Sequence, residues 1–308
     1  MMTDMCANGI VIQQKLEDGI LGGLYQASFP IHYQNIVFDV KITQYGIRKT
    51  TITSHTKTKL DMLIHLFNQV DMLIMLGEGH FIPISEAEIC NEDEIVNSPV
   101  LNEKLSNRLK MFNSADFTQG SLNSFIQFDK YLNTETMQNW LSISSELYIL
   151  HPMVLYSLSD TGITIDCKCA FLIESFETLS ELIEQRIQDF TRPSIRKGES
   201  KLGKYIRVII NRFGKDIFSE EITNEEAFVN ILVNSRNKIA HIKSKQNHRY
   251  LNGSECVLYA VKLSFLYRRV LLELLHVEYS LYSSTLKKSI KEWNEWNNIL
   301  TDFKKKID

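Results

Sequence analysis

Apolar and polar residues alternate in short pieces through the first 55 residues, as GIVIQQKL, GGLYQASF, NIVFDVKITQY and IRKTTITS, with glycine or polar breaks between them. A period of two puts every second side chain on one face of a pleated strand, so this region predicts β-strands. The period then lengthens. Leu60, Leu63, Ile64, Phe67, Val70 and Leu73 recur at spacings of three and four, which predicts an amphipathic helix ended by Gly77. HFIPISEAEIC returns to strand, and the stretch from Asn91 to Asn123 is polar and irregular.

From about Asn133 the pattern is helical throughout. Thr134 or Thr136 is the expected cap of a helix through MQNWLSISSELYILHPMVLYSLS, which Pro152 should kink or divide. AFLIESFETLSELIEQRIQDF, KYIRVIINRFGKDIF and NEEAFVNILVNSRNKIAHIK follow. GSECVLYAVKLSFLYRRVLLELLHV is apolar nearly all round and should be central in a bundle. STLKKSIKEWNEWNNILTDFKKKI reads as one terminal amphipathic helix, in which Trp293 and Trp296 join Ile290, Leu300 and Phe303 in a packing stripe. At 308 residues the chain exceeds a usual single core. The expected class is α+β, with a β-rich module over residues 1–132 and an all-α domain over 133–308.

Apolar residues at 44% and charged residues at 23% fit an ordinary globular chain rather than a disordered or fibrous one. The N-terminal segment lacks a basic start followed by a long apolar run, and no later segment reads as a run of about 20 apolar residues. A cytoplasmic location is the expectation. Cys6, Cys90, Cys167, Cys169 and Cys256 are an odd, scattered set, expected as reduced thiols. Cys167 and Cys169 lack the second pair or nearby histidine of a zinc site and read as strand or loop cysteines.

The net charge of −3 is unevenly spread. Residues 1–134 hold 10 Lys and Arg against 15 Asp and Glu, and residues 135–308 hold 24 against 22. Within the second part, Thr191 to Lys215 carries Arg192, Arg196, Lys197, Lys201, Lys204, Arg207, Arg212 and Lys215 against the single acid Glu199. Such a run can hold phosphates, or it can be a solvated face. Gly77 to Gly79 lacks the residues of a P-loop or dinucleotide fingerprint, and neither a G-x-S-x-G elbow nor an H-E-x-x-H pair occurs.

VNSRNKIAHIK remains. Asn237 and His241 are four apart and share a helix face, with Arg236 at its edge and Ile231, Leu232 and Ile239 able to pack inward. Arginine offers a permanent fork-shaped cation for phosphate oxygens, and histidine titrates near neutrality. Asparagine can orient the imidazole or bind a phosphate or ribose oxygen. Those are the parts required for an RNA 2′-hydroxyl to attack its own phosphodiester without a metal, although one histidine alone would make a poor nuclease. Lys238, Lys243, His248 and Arg249 surround the motif, and no acid occurs from Ala227 to Gly253, so they could extend a phosphate surface.

The same stretch resembles the Arg-polar-x3-His motif of HEPN ribonucleases. The region from about Trp140 to Val277 is similar to the ApeA-like HEPN family in particular: a helix AFLIESFETLSELI with a mid-helix glutamate, a basic connection, the RN-x3-H helix, then YLNGSECVLYAVKLSFLYRRVLLELLHV. The resemblance implies a C-terminal HEPN helical bundle that dimerises so that two motifs line one cleft and cut RNA with neither metal nor cofactor. It makes Arg236, Asn237 and His241 the catalytic set and adds Glu177, because acids of that helix neighbour the motif in such proteins. It also implies a sensing role for the β-rich module and a place in anti-phage abortive infection as a toxin. A HEPN module that has lost activity and binds RNA or a protein partner is the competing implication.

Overall fold

The computed structural model describes residues 5–15, 24–79, 82, 84–91, 94–99, 101–103, 105, 124–147, 154, 164–190, 194–241 and 249–307. The chain divides into two compact units, Met1–Leu147 and Tyr148–Asp308.

The first unit is built on an antiparallel six-stranded sheet of order β2-β3-β4-β1-β5-β6. Its strands are β1 (Cys6–Lys15), β2 (Tyr25–Tyr33), β3 (Ile36–Tyr45), β4 (Ile47–Lys59), β5 (Ile84–Asn91) and β6 (Glu94–Asn97). The alternation in the sequence becomes the two faces of the sheet. Phe29 lies opposite Val40 and Ile31 opposite Phe38, all buried, while Ser28, Pro30, Asp39 and Lys41 are exposed. Gln34 and Asn35 both take positive φ, 49° and 65°, and close the β2–β3 hairpin with the twist that two-residue turns favour. Strand β6 arises within the stretch the sequence pattern left irregular. Its four residues are all exposed, so no apolar period marks them.

Helix α1 (Leu60–Glu78) continues from β4 and buries Leu63, Leu66, Phe67, Val70 and Leu73. It is long and apolar enough by length and composition to span a membrane, which the sequence reading overlooked, but most of it is buried inside the unit. It ends at Gly79 rather than Gly77: Gly79 has φ 77° and its N–H returns to the Met75 carbonyl. Gly77 has a different reason to be glycine. A Cβ there would stand 2.7 Å from the Ile126 carbonyl oxygen and from the Tyr131 hydroxyl, because the segment after residue 124 crosses the helix at that point. Helix α2 (Thr134–Ser144) belongs to this unit by compactness, whereas the boundary expected at 132/133 lies ahead of it. Its cap is Asn133, whose side chain accepts from the Thr136 N–H; neither threonine plays that part.

The second unit is helical: α3 (Ile165–Arg186), α4 (Lys201–Ile209), α5 (Glu225–His241), α6 (Gly253–Leu274), α7 (Ser283–Glu295) and α8 (Ile299–Ile307). Helix α3 packs on α4, α5 and α6. As expected of a helix apolar all round, α6 is central, and it opens with a capping box between Asn252 and Glu255. Phe218, Phe228, Tyr259 and Phe303 form an aromatic cluster with ring centres 4.7 to 6.0 Å apart. The terminal segment is two helices rather than one, broken where Asn297 and Asn298 take φ 51° and 56°. Trp293 is buried and Trp296 exposed, their rings edge to face at 5.3 Å. Cys167 and Cys169 lie on α3, not on a strand or loop, and Cys169 is buried beside Cys256 of α6.

Candidate active site

Helix α5 begins with Glu225 and Glu226, acids that suit the positive end of the helix dipole. It buries Phe228, Val229, Ile231, Leu232 and Val233, and that apolar edge fixes its rotation. Arg236, Asn237, Lys238 and Ile239 are consequently half-buried along the border with solvent. His241 is the last residue of the helix, and its side chain lies outside the described part.

Arg236 reaches across to α3. Its Nε and Nη2 donate to the two carboxylate oxygens of Glu174 at 2.5 and 2.8 Å, and its Nη1 donates to Asn237 Oδ1 at 3.2 Å. A guanidinium has five N–H donors, so these bonds leave two for a ligand among the described residues. The hydrogen bonds to Glu174, more than the nearby charges of Glu174 and Glu177, hold the guanidinium's proton affinity above its ordinary value, against the opposing effect of burial. The side chains of Arg236 and Glu174 keep 26% and 39% of their surface exposed, so the pair borders solvent where a polyanion could meet it.

Glu177, the acid expected near the motif, stands one turn further along α3 and pairs with Lys201 at 2.6 Å. Sequence reasoning missed Glu174. Glu174 and Glu177 are three apart and share a helix face, so the pattern narrows the partner to that face, but which acid meets α5 depends on how the helices cross.

The basic run is partly neutralised by its own surroundings. Arg196 pairs with Glu225 at 2.7 Å, and Arg207 is buried with both carboxylate oxygens of Glu199 at 2.6 and 2.8 Å. Lys197 is exposed, and Lys204 lies half-buried with its ammonium 5.7 Å from the centre of the Tyr205 ring. Arg192, Lys243 and His248 lie outside the described residues. Arg249 is exposed, and its guanidinium donates to the Lys306 carbonyl. Lys238 places its ammonium 4.0 Å from the centre of the Tyr250 ring, an aromatic neighbour the sequence reading did not single out.

Among the described residues the site therefore offers a held guanidinium with two donors unbonded, an amide bonded to it, a helix-end histidine and nearby ammonium groups, a set suited to a phosphodiester. No curated protein and no solved structure matches the chain. Residues 168–281 match the family model described as Apea-like HEPN, a span that runs from the start of α3 beyond α6 and takes in the whole of α5. Over those residues the chain carries an Apea-like HEPN domain.

Proposed function

We propose that the C-terminal unit is an endoribonuclease that cleaves RNA without a metal ion, with Arg236, Asn237 and His241 acting on the scissile phosphodiester. The observation that carries this reading is the way α3 and α5 hold one guanidinium. Glu174 accepts from two donors along one edge of Arg236, Asn237 takes a third donor, and His241 follows four residues after Asn237 at the helix end.

RNA carries its own nucleophile. A base removes the 2′-hydroxyl proton, the 2′-oxygen bonds to phosphorus, the bond from phosphorus to the 5′-oxygen breaks, and an acid protonates that oxygen. The products are a 2′,3′-cyclic phosphate and a 5′-hydroxyl. His241 serves as base or acid, help worth about 10²- to 10⁴-fold. The two spare donors of Arg236 stabilise the charge that develops on the non-bridging oxygens. One histidine holds one protonation state at a time. A two-fold homodimer would supply a second Arg236, Asn237 and His241 to the same cleft, because a symmetric interface presents one patch twice. Lys197, Lys204, Lys238 and Arg249 hold the strand, and Arg196 and Lys201 join them where phosphate displaces a carboxylate. This activity would act in anti-phage defence as a toxin in the cytoplasm, with the sheet unit as sensor.

The test is incubation of purified protein with bulk RNA and with DNA in EDTA, followed by analysis of the ends. Cleaved RNA with 2′,3′-cyclic phosphate ends, intact DNA, and loss of activity in His241→Ala are expected. Ends carrying 5′-phosphate, or strict dependence on magnesium, would overturn the mechanism, and binding without cleavage would leave an RNA-binding module. A strictly monomeric protein with full activity would overturn the composite site.

A further inference from the structure

We infer that Tyr250 is a nucleobase platform: its ring stacks one base of single-stranded RNA beside the phosphate handled by α5, with Lys238 as the neighbouring cation. This rests on the ribonuclease reading and adds to it a residue that chooses how the strand lies.

The geometry comes from the segment after α5. Residue 249 is tied to the helix through its carbonyl, which accepts from Asn234 Nδ2 at 3.3 Å. Residue 251 is tied through its N–H, which donates to Ser235 Oγ at 2.9 Å, and the Leu251 side chain is buried. Between these two anchors Tyr250 has no freedom to drift, and its neighbour's burial turns it outward. It keeps 38% of its surface exposed, and among the described residues of the unit Trp296 is the other exposed large aromatic ring. Lys238 Nζ lies 4.0 Å from its ring centre. Lys238 is three residues before His241, a spacing that puts the two positions on one side of α5, whereas Arg236, two residues from Lys238, lies round the helix toward α3.

An exposed ring pre-positioned beside cations is the arrangement that single-stranded nucleic acid uses, with bases on π-faces and phosphates on ammonium groups. The ammonium over the ring also gains from its quadrupole and from a nearby phosphate together, so the same side chain can serve both partners.

The test uses the His241→Ala protein, so that substrate persists, and a short single-stranded RNA containing 2-aminopurine, whose fluorescence falls on stacking. Binding with quenching is expected for this parent. Adding Tyr250→Ala or Tyr250→Leu should remove the quenching and weaken binding roughly 5- to 100-fold, whereas Tyr250→Phe keeps both. The salt dependence should be unchanged by Tyr250→Leu and shallower in Lys238→Ala, since only the lysine releases counterions. RNA bound and quenched equally well by Tyr250→Leu would overturn the platform and leave the ribonuclease reading standing. A parent that binds no RNA at low salt would overturn both.

Discussion

Glu174 closes on Arg236 from a different helix, its two carboxylate oxygens 2.5 Å from Nε and 2.8 Å from Nη2. The residues are 62 apart in the chain, so this one pair ties the rotation of α5 to that of α3. Charge alone argues against an acid here, because it offsets the cation that a phosphate would meet. Geometry argues for it: a guanidinium held by two donors on one edge can aim its remaining donors, and a misplacement of about 1 Å can cost about 10²-fold in rate. Under the proposed mechanism Glu174 acts as a positioning residue.

Glu174→Ala should lower kcat by about 10- to 100-fold while RNA binding by the same variant stays equal or tightens, since a negative charge has gone. Arg236→Ala should abolish cleavage. Both variants should melt close to the parent, because a pair this exposed contributes about 1 kcal/mol or less. Equal losses in binding and in kcat for Glu174→Ala would show that the acid does not act through aim.

Glu177 is expected to matter far less. Its partner Lys201 is exposed, and the Glu177 hydrogen bond is the first cause of the raised proton affinity of that lysine. Releasing Lys201 in Glu177→Gln should leave the melting temperature close to that of the parent and cleavage within about twofold of it. A loss as large as that of Glu174→Ala would return Glu177 to the reacting groups.

The contrast between these two acids marks where the sequence stops being readable. The strands β1 to β4 and helices α1, α3, α5 and α6 follow from periods of two and 3.6, because burial on one face repeats along the chain. The helix that carries RN-x3-H was legible for the same reason, whereas the reading of that set as catalytic comes from its resemblance to the HEPN motif and is a proposal. What failed was set by contacts distant in sequence or by local backbone chemistry. Gly77 looked like a helix end, and is a crossing point under Tyr131. The Asn297–Asn298 break hides inside an unbroken amphipathic pattern. Strand β6 has no buried residue to give it a period, and Glu174 and Glu177 differ only in what lies opposite them.

The corner before α4 gives a pH prediction. Glu199 accepts both guanidinium contacts of Arg207 and the Arg196 N–H at 2.9 Å, in a turn where Gly198 takes φ 83°. The Arg207 hydrogen bonds, helped by the Arg196 N–H and opposed by burial, hold the Glu199 carboxyl below its ordinary value of 4.5. The folded protein therefore keeps this group ionised at pH values where the unfolded chain has protonated it. Its stabilisation is complete above 4.5 and is lost as pH falls through the lowered folded value. Glu199→Gln should cost about 1–3 kcal/mol at neutral pH, with the difference from the parent shrinking in acid. Urea midpoints measured against pH for both proteins check this; a difference that stays constant into acid would refute it.

The last prediction concerns what holds the start of α5. Glu221, just ahead of the turn that leads into that helix, is fully buried with Lys262 of α6 at 2.5 Å, and both side chains have 0% exposure. Tyr259 donates to the same carboxylate at 3.2 Å, and Lys262 also donates to Asn294 of α7 at 2.9 Å. Three helical segments therefore converge on one buried pair. Removing one partner strands the other's charge in the core, which costs roughly 3–5 kcal/mol, whereas removing both with apolar residues of similar volume is far milder. Lys262→Met should lower the denaturation midpoint sharply, and Lys262→Met with Glu221→Leu should recover much of the loss. Cleavage per folded molecule should hold in the double variant, because the contacts described for the pair involve neither Arg236 nor Asn237. A single Lys262→Met as stable as the parent would mean that the two groups are not ionised as a pair in the folded protein.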